Sequence, residues 1–295
     1  MSQPKNLTEG NILSSLMGFA LPVLAALFLQ TMYGAVDMMI VGRFSQASEV
    51  SAVSTGSWIM QTITTAIVGL SMGTTILLGR RIGEKQPEEA GRVAGAGIWL
   101  FAWIGIVVTV VMQFLAVPAA RWMRAPIATV FAQVVSVVLS FAIIRKQELP
   151  FVFDRKSIRW NRPLVRHIVK LGFPIAFQDV LVSISFLVIS AIVNTLGVIP
   201  SAGVGVAEKL AGFVLLVPSA YSQAMSAFVA QNIGAKRPDR ARKALAYGIL
   251  TSLGAGVFLA WFTFFHGDIL SGIFSRDREV VLASADYLRA YAIDC

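Results

Sequence analysis

Charged residues cluster along this chain and leave long apolar stretches between them. Uncharged runs extend from Val50 to Gly79, Val93 to Ala120, Ala125 to Ile144, Leu210 to Ala235 and Ala244 to Phe265. Each exceeds the ~18–20 residues that a helix needs to cross the hydrocarbon layer. Two further stretches, Gly10 to Gly42 and Leu171 to Ala207, hold one charge each, Asp37 and Asp179, and the second breaks at Gly197 to Gly205. The pattern predicts an all-α polytopic membrane protein with seven full spans and a partial eighth segment, Val280 to Cys295.

Composition agrees. Of 295 residues 56% are apolar and 14% charged, whereas a soluble domain carries about a quarter charged residues. The first apolar run follows an almost uncharged head, lacks a small-residue cleavage site and continues past Asp37, so it reads as a retained helix and not a secretory signal. With Cys295 the only cysteine, no intrachain disulfide framework or thiolate metal site can form. The two histidines, His167 and His266, lie at opposite ends of different spans and read as interfacial residues, not metal ligands.

A net charge of +9 raises the question of a nucleic-acid partner, and its placement answers it. With a cytoplasmic N-terminus, the even loops face inward and collect Arg80, Arg81, Lys85, Arg92, the basic Arg145 to Lys170 segment and Lys236 to Lys243. Outside fall only Arg43, Arg121, Arg124, Arg276, Arg278 and Arg289, with Lys209 inside a span. This is the positive-inside bias of a multi-pass plasma (bacterial inner) membrane protein. The charge therefore reports topology, and no nucleic-acid partner is expected.

Self-comparison reveals a repeat. Ile82 to Ala90, IGEKQPEEA, aligns without a gap to Ile233 to Ala241, IGAKRPDRA, and Gly97-Ile98 and Gly248-Ile249 continue the offset. One residue off that register, Leu21-Pro22 matches Phe173-Pro174. The chain thus divides into an N-terminal lobe, 1–146, with four spans, a basic cytoplasmic linker, 147–163, and a C-terminal lobe, 164–295, with three spans and the partial helix. Four spans precede the second copy, so the two lobes insert in parallel, an arrangement found among secondary transporters with the substrate path between the halves. Gly83 and Gly234 occupy the place of helix C-caps before a restart.

Four segments carry a resemblance to a known family: LPVLAALFLQTMYGAVDMMIVGRF at 21–44, GLSMGTTILLGRRIGEKQPEEAGR at 69–92, LGFPIAFQDVLVSISFLVISAIVNTLG at 171–197 and VGVAEKLAGFVLLVPSAYSQAMSAFVAQNIGAKRPDRARK at 204–243. In this order they resemble the multidrug and toxic compound extrusion (MATE) family. The resemblance implies two six-helix lobes around a central cavity and export of organic cations and drugs in exchange for H⁺ or Na⁺. The chain departs from that pattern. RWMRAP at 121–126 resembles the region before the family's fourth helix, whereas IATVFAQVVSVVLSF from Ile127 resembles its sixth. Helices four and five have no counterpart, and the chain stops where the tenth helix would begin, so the expected fold is an incomplete MATE-type fold.

Chemistry in such a chain belongs to intramembrane charge, which is costly in lipid and faces protein or water. By its place in QTMYGAVD, Asp37 matches the aspartate of the family's first helix, which the resemblance implies takes part in cation coupling. Desolvation of a buried carboxyl group lets it load and release a proton near neutral pH. The resemblance places the Na⁺-site partners of this aspartate on the absent fifth helix. Gln30, seven residues before Asp37, shares its helical face. Gln178 and Asp179 offer a polar contact to a small organic cation, with an interhelical hydrogen-bonding role the alternative. Glu208 and Lys209, about 100° apart on one helix, cannot stack as a ladder pair and are read as lying near the outer rim, with Lys209 reaching for headgroups. Phe28, Tyr33, Trp58 and Met60 could line a pocket for flat cations, or pack. Gly69 and Gly73, like Gly91 and Gly95, have the small-xxx-small spacing of close helix pairs.

No phosphate-binding GxxxxGK[ST] loop occurs, and no cluster of nucleophile, base or metal ligands suggests an enzyme. The leading expectation is a cation-coupled antiporter in contact with membrane lipid, needing no cofactor beyond the coupling ion, H⁺ or Na⁺. A flippase for lipids or lipid-linked sugars is the alternative from a related transport class. A third reading is an inactive fragment of a longer MATE transporter.

Overall fold

The computed structural model describes the backbone of residues 7–44, 47–116, 150–154, 157–274 and 277–292, and the side chains of 7–32, 61–111, 150–154, 157–273 and 277–292. Among these residues the secondary structure is entirely helical: α1 (Ile12–Phe44), α2 (Ala47–Gly83), α3 (Pro87–Ala116), α4 (Arg162–Asn194), α5 (Val198–Val214), α6 (Leu216–Gly234), α7 (Pro238–Phe274) and α8 (Arg278–Tyr291). Among the described residues six segments are long and apolar enough to span a membrane, α5 and α6 counting as one, Val198–Gly234. The predicted span Ala125 to Ile144 lies outside the described residues. The predicted break at Gly197 to Gly205 is narrower than expected. Only the turn at Thr195 to Gly197, with Gly197 at φ 111°, interrupts the helices, and Gly203 and Gly205 continue inside α5. The α5–α6 junction falls at Leu215, three residues before Pro218, which cannot donate to the preceding turn. The partial eighth segment is α8, 14 residues long and N-capped by Asp277, whose carboxylate accepts from the Glu279 amide at 2.9 Å.

The repeat is visible in backbone geometry. At the α2–α3 turn the amides of Glu84, Lys85 and Gln86 donate to Arg80, Ile82 and Arg81. At the α6–α7 turn those of Ala235, Lys236 and Arg237 donate to Gln231, Ile233 and Asn232. Every donor and acceptor is matched at the spacing that relates Ile82 to Ile233. This corrects the expected cap. The left-handed residues are Lys85 and Lys236, both at φ 56°, while Gly83 and Gly234 are the last helical residues. The glycines serve a different need. A Cβ on Gly83 would overlap the Gln231 carbonyl oxygen, and one on Gly234 would overlap the Arg80 carbonyl oxygen. Arg80 and Gln231 are themselves matched, so α2 and α6 cross backbone to backbone at a pseudo-two-fold axis.

The first helix of each half packs against helices of the other half. Leu77, Val93 and Ala96 of α2 and α3 enclose Val165 and Ile168 of α4. Correspondingly, Ala224, Phe228 and Ala244 of α6 and α7 enclose Leu16 and Ala20 of α1, together with Leu7. Leu77 matches Phe228, Val93 matches Ala244 and Leu16 matches Ile168 in the repeat, so the two clusters are mates. Burying such side chains is worth about 1.5–3 kcal/mol each in water. In lipid the gain comes instead from close packing of small residues.

Candidate functional site

The apolar part of α4 starts after Lys170, and nine residues at 1.5 Å per residue place Asp179 about 13 Å inside it. On α2, Gly69 precedes Arg80 by eleven residues, about 16 Å. The two meet: a Cβ on Gly69 would lie 2.6 Å from the Ala176 Cα and 2.8 Å from an Asp179 carboxylate oxygen. One turn nearer the loops, a Cβ on Gly73 would overlap the Ile168 carbonyl oxygen and lie 2.7 Å from the Gly172 nitrogen. The Gly69/Gly73 spacing therefore faces a Gly172/Ala176 spacing, the small-xxx-small geometry that lets backbones approach. With a ~30 Å hydrocarbon layer, this crossing holds the Asp179 carboxylate near mid-membrane, half-buried against α2. The side chain leans on a helix of the other half instead of reaching for the surface.

The other expected site residues are distributed around it. Gln178 is exposed, one position from Asp179 on α4, and Gln30 is exposed on α1. Asp37 falls within α1, and its side chain lies outside the described residues, as do those of Tyr33, Trp58 and Met60. Phe28 contacts Phe213 of α5, ring centroids 6.2 Å apart.

Glu208 differs from its expected place at the rim. It is half-buried on α5, and the Ser190 hydroxyl of α4 donates to its carboxylate at 2.9 Å. Ala207 and Leu210 on either side pack on Leu288 of α8, with Tyr287 against them. Lys209 is exposed. The Ser190 partnership follows from folding α4 and α5 back on each other around the Gly197 turn, and the hairpin itself was the only signal for it. His266, expected at an interface, sits at a non-helical residue of α7, φ −126° and ψ 24°, stacked on Phe262 at 5.2 Å. Among the described residues no group of three His, Cys, Asp or Glu side chains could hold a metal ion.

At the loop end an open polar groove runs between the halves, lined by Arg80, Glu84, Lys85, Gln231, Lys236 and Arg237 among others. Burial pushes the Glu84 pKa up, but hydrogen bonds from Arg80 at 3.0 Å and Arg81 at 2.8 Å, with their charges, outweigh it and hold the carboxyl below its ordinary range. A strap before α1 closes one side. Arg237 donates to the Thr8 carbonyl at 2.7 Å, Arg240 to those of Gly10 and Glu9 at 2.8 Å each, and buried Asn232 to that of Leu7 at 3.2 Å. Residues 150–154 and 157–160 lie in the corresponding place before α4. There the Val152 amide donates to Pro87 at 3.2 Å and Trp160 packs on Trp99 at 4.6 Å.

Comparison with known proteins places this architecture. The probable multidrug resistance protein YoeA of Bacillus subtilis is 23% identical over 352 aligned positions, covering 93% of this chain and 76% of YoeA. Those positions outnumber the 295 residues of the chain, so the alignment passes stretches of YoeA with no counterpart here. The FAD transporter of Shewanella oneidensis is 29% identical over 162 residues, 53% of this chain and 35% of that transporter. Among solved structures, a multidrug resistance MATE family transporter of the MOP superfamily in an outward-facing conformation superposes with a TM-score of 0.84 at 16% identity, covering 99% of this chain and 82% of that one. A MOP superfamily transporter from Pyrococcus furiosus gives 0.85 at 16% identity with the same coverage. The family model MatE matches residues 22–145 and again 174–294, and this multi-pass membrane protein, shorter than its relatives, belongs to the MatE family.

Proposed function

We propose that the chain is a secondary exporter that moves small organic cations or drugs out of a bacterial cell across the plasma membrane, with its N-terminus in the cytoplasm, in exchange for H⁺ or Na⁺. Its relatives' names, a probable multidrug resistance protein among them, support the substrate class. The observation that carries the reading is the pairing of two matched halves. The first helix of each packs into the other, and they close on each other at the basic, loop-bearing end. Two matched halves that approach backbone to backbone at Gly83 and Gly234, beneath the polar groove, form the kind of hinged pair that alternating access uses. In this reading Asp37 binds the coupling ion, while Gln30, Gln178 and Asp179 contact the substrate.

The test is dye efflux from proteoliposomes of the purified chain under imposed pH and Na⁺ gradients. Efflux that follows one gradient and is lost in Asp37→Asn is expected. Efflux indifferent to both gradients would remove the reading. Movement of a labelled lipid without dye transport would point to the flippase instead, and a well-folded chain that moves neither would point to a transporter lacking necessary parts.

A further inference from the structure

The α2–α4 crossing and the α1–α6 crossing are mates that differ in closeness, since Gly69, Gly73 and Gly172 are matched by Ala220, Ala224 and Ala20, and they differ also in charge. Along α1 and α4 the register that pairs Pro22 with Pro174 also pairs Thr31 with Ser183. The Thr31 hydroxyl donates to the Leu27 carbonyl at 3.0 Å, and the Ser183 hydroxyl donates to the Asp179 carbonyl at 2.9 Å. The same backbone device recurs at these places, as it also does at Ser185, Thr75, Thr109 and Thr251, and it agrees with the register of the prolines. In that register the mate of Asp179 is Leu27. The matched helix carries leucine there, so the repeat itself does not call for a carboxylate at this position.

A carboxylate near mid-membrane that the repeat does not call for is a functional candidate, and its surroundings define what it answers to. On the facing helix α2 there is no charge between Gln61 and Gly79, and on α3 there is none between Val93 and Ala116. On α4 itself the nearest charge toward the loops is Lys170, nine residues away. On α5 the charged groups are Glu208 and Lys209. Glu208 is held by Ser190, eleven residues or about 16 Å further along α4. Ionised, Asp179 would press a charge on the α2 backbone at Gly69 with no opposite charge beside it among the described residues, a costly arrangement unless water enters the crossing. Neutral, it is a small polar group that the crossing accommodates. A Na⁺ ion would need several oxygen ligands around one point, and the Ser183 hydroxyl is already turned to the backbone.

We infer that Asp179 is a proton-operated latch between the two halves, with its protonation and the seating of α4 on α2 favouring each other. By linkage the two effects are reciprocal: closing the crossing promotes proton uptake, and losing the proton loosens it and the seal that continues down α2 to Gly83. The latch rests on the exporter reading only for its purpose, and it assigns Asp179 a positioning role distinct from the substrate contact proposed above.

The experiment uses the full chain with Cys295→Ser and spin labels on cysteines at Glu88 and Asp239, exposed and matched positions beyond the two turns, in lipid nanodiscs across a pH series. The native label distance is expected to lengthen by several ångströms as pH rises, with a single midpoint. Asp179→Asn, and Asp179→Leu in imitation of Leu27, are expected to keep the short distance at every pH, while Asp37→Asn still responds. A pH response that survives in Asp179→Asn overturns the inference. So does a native chain indifferent to pH, or one that responds only to Na⁺. Dye efflux on the same proteins separates the two proposals: gradient-driven export intact in Asp179→Asn counts against the latch alone, whereas a native pH response without export leaves the latch and removes the exporter.

Discussion

Replacing Gly83 by alanine tests the pseudo-two-fold seal most directly. Its Cβ would overlap the Gln231 carbonyl oxygen, a backbone atom that no side-chain rotation can move away. Overpacking in a tight interior costs typically 1–3 kcal/mol, and a rigid obstacle puts this case at the upper end. Against that, alanine gains ~0.5–1 kcal/mol over glycine within a helix. The net expectation is a loss of about 2 kcal/mol. Gly105 in α3 has no atom within 4 Å of its would-be Cβ, so Gly105→Ala should keep only the helical gain. The two variants should therefore differ by ~2–3 kcal/mol, roughly thirty- to a hundred-and-fortyfold in unfolding equilibrium, since ~1.4 kcal/mol is a factor of ten. Reversible unfolding in mixed detergent micelles can read this difference. Adding Gly234→Ala, which meets the Arg80 carbonyl at the same interface, should cost less in the Gly83→Ala background than alone, because one shift of α2 relative to α6 relieves both overlaps. If Gly83→Ala proves as stable as Gly105→Ala, the backbone crossing at the axis is not as described.

Two further outcomes are expected. Arg240→Ala removes the charged donor from the Glu9 and Gly10 carbonyls, worth ~1.5–3 kcal/mol per charged hydrogen bond at most. It should speed amide exchange of residues 7–12 while leaving α2–α4 protected, and Arg240→Lys should not restore protection because an ammonium lacks the guanidinium fork; unchanged exchange in Arg240→Ala would mean the strap is held by other contacts. Glu84 has a carboxyl pKa held below its ordinary 4.5, so its pairing stabilises the fold above that value and is lost as pH falls through the depressed one. The stability difference between native protein and Glu84→Gln should be at most ~1 kcal/mol for this partly exposed pair, constant near neutral pH, and should begin to shrink below 4.5 and vanish once pH has fallen through the depressed value; a difference that grows on acidification would contradict the arrangement.

Much of this was legible in the chain itself. The uncharged blocks mark the spans, since a membrane helix must be apolar throughout its crossing and nothing distant alters that requirement. IGEKQPEEA and IGAKRPDRA expose the repeat, and the matched backbone hydrogen bonds and left-handed lysines follow from it. The roles within the repeat were less accessible. Gly83 and Gly234 carry a sequence signature that fits a C-cap equally well as a close crossing, because both exploit a missing Cβ. Only the approach of α2 to α6 distinguishes them.

What the sequence alone determined is therefore which segments enter the membrane, in how many matched copies, and where its rare carboxylates lie along the helices. The tertiary structure decided their partners: Asp179 on the Gly69 backbone, Glu208 under the Ser190 hydroxyl, and the strap carbonyls on Arg237 and Arg240. The first two of these join different helices of a bundle, and the third ties the chain's beginning to residues more than two hundred positions later. Periodicity reports the face of one helix, whereas these contacts depend on how two helices cross, which small residues permit but do not specify.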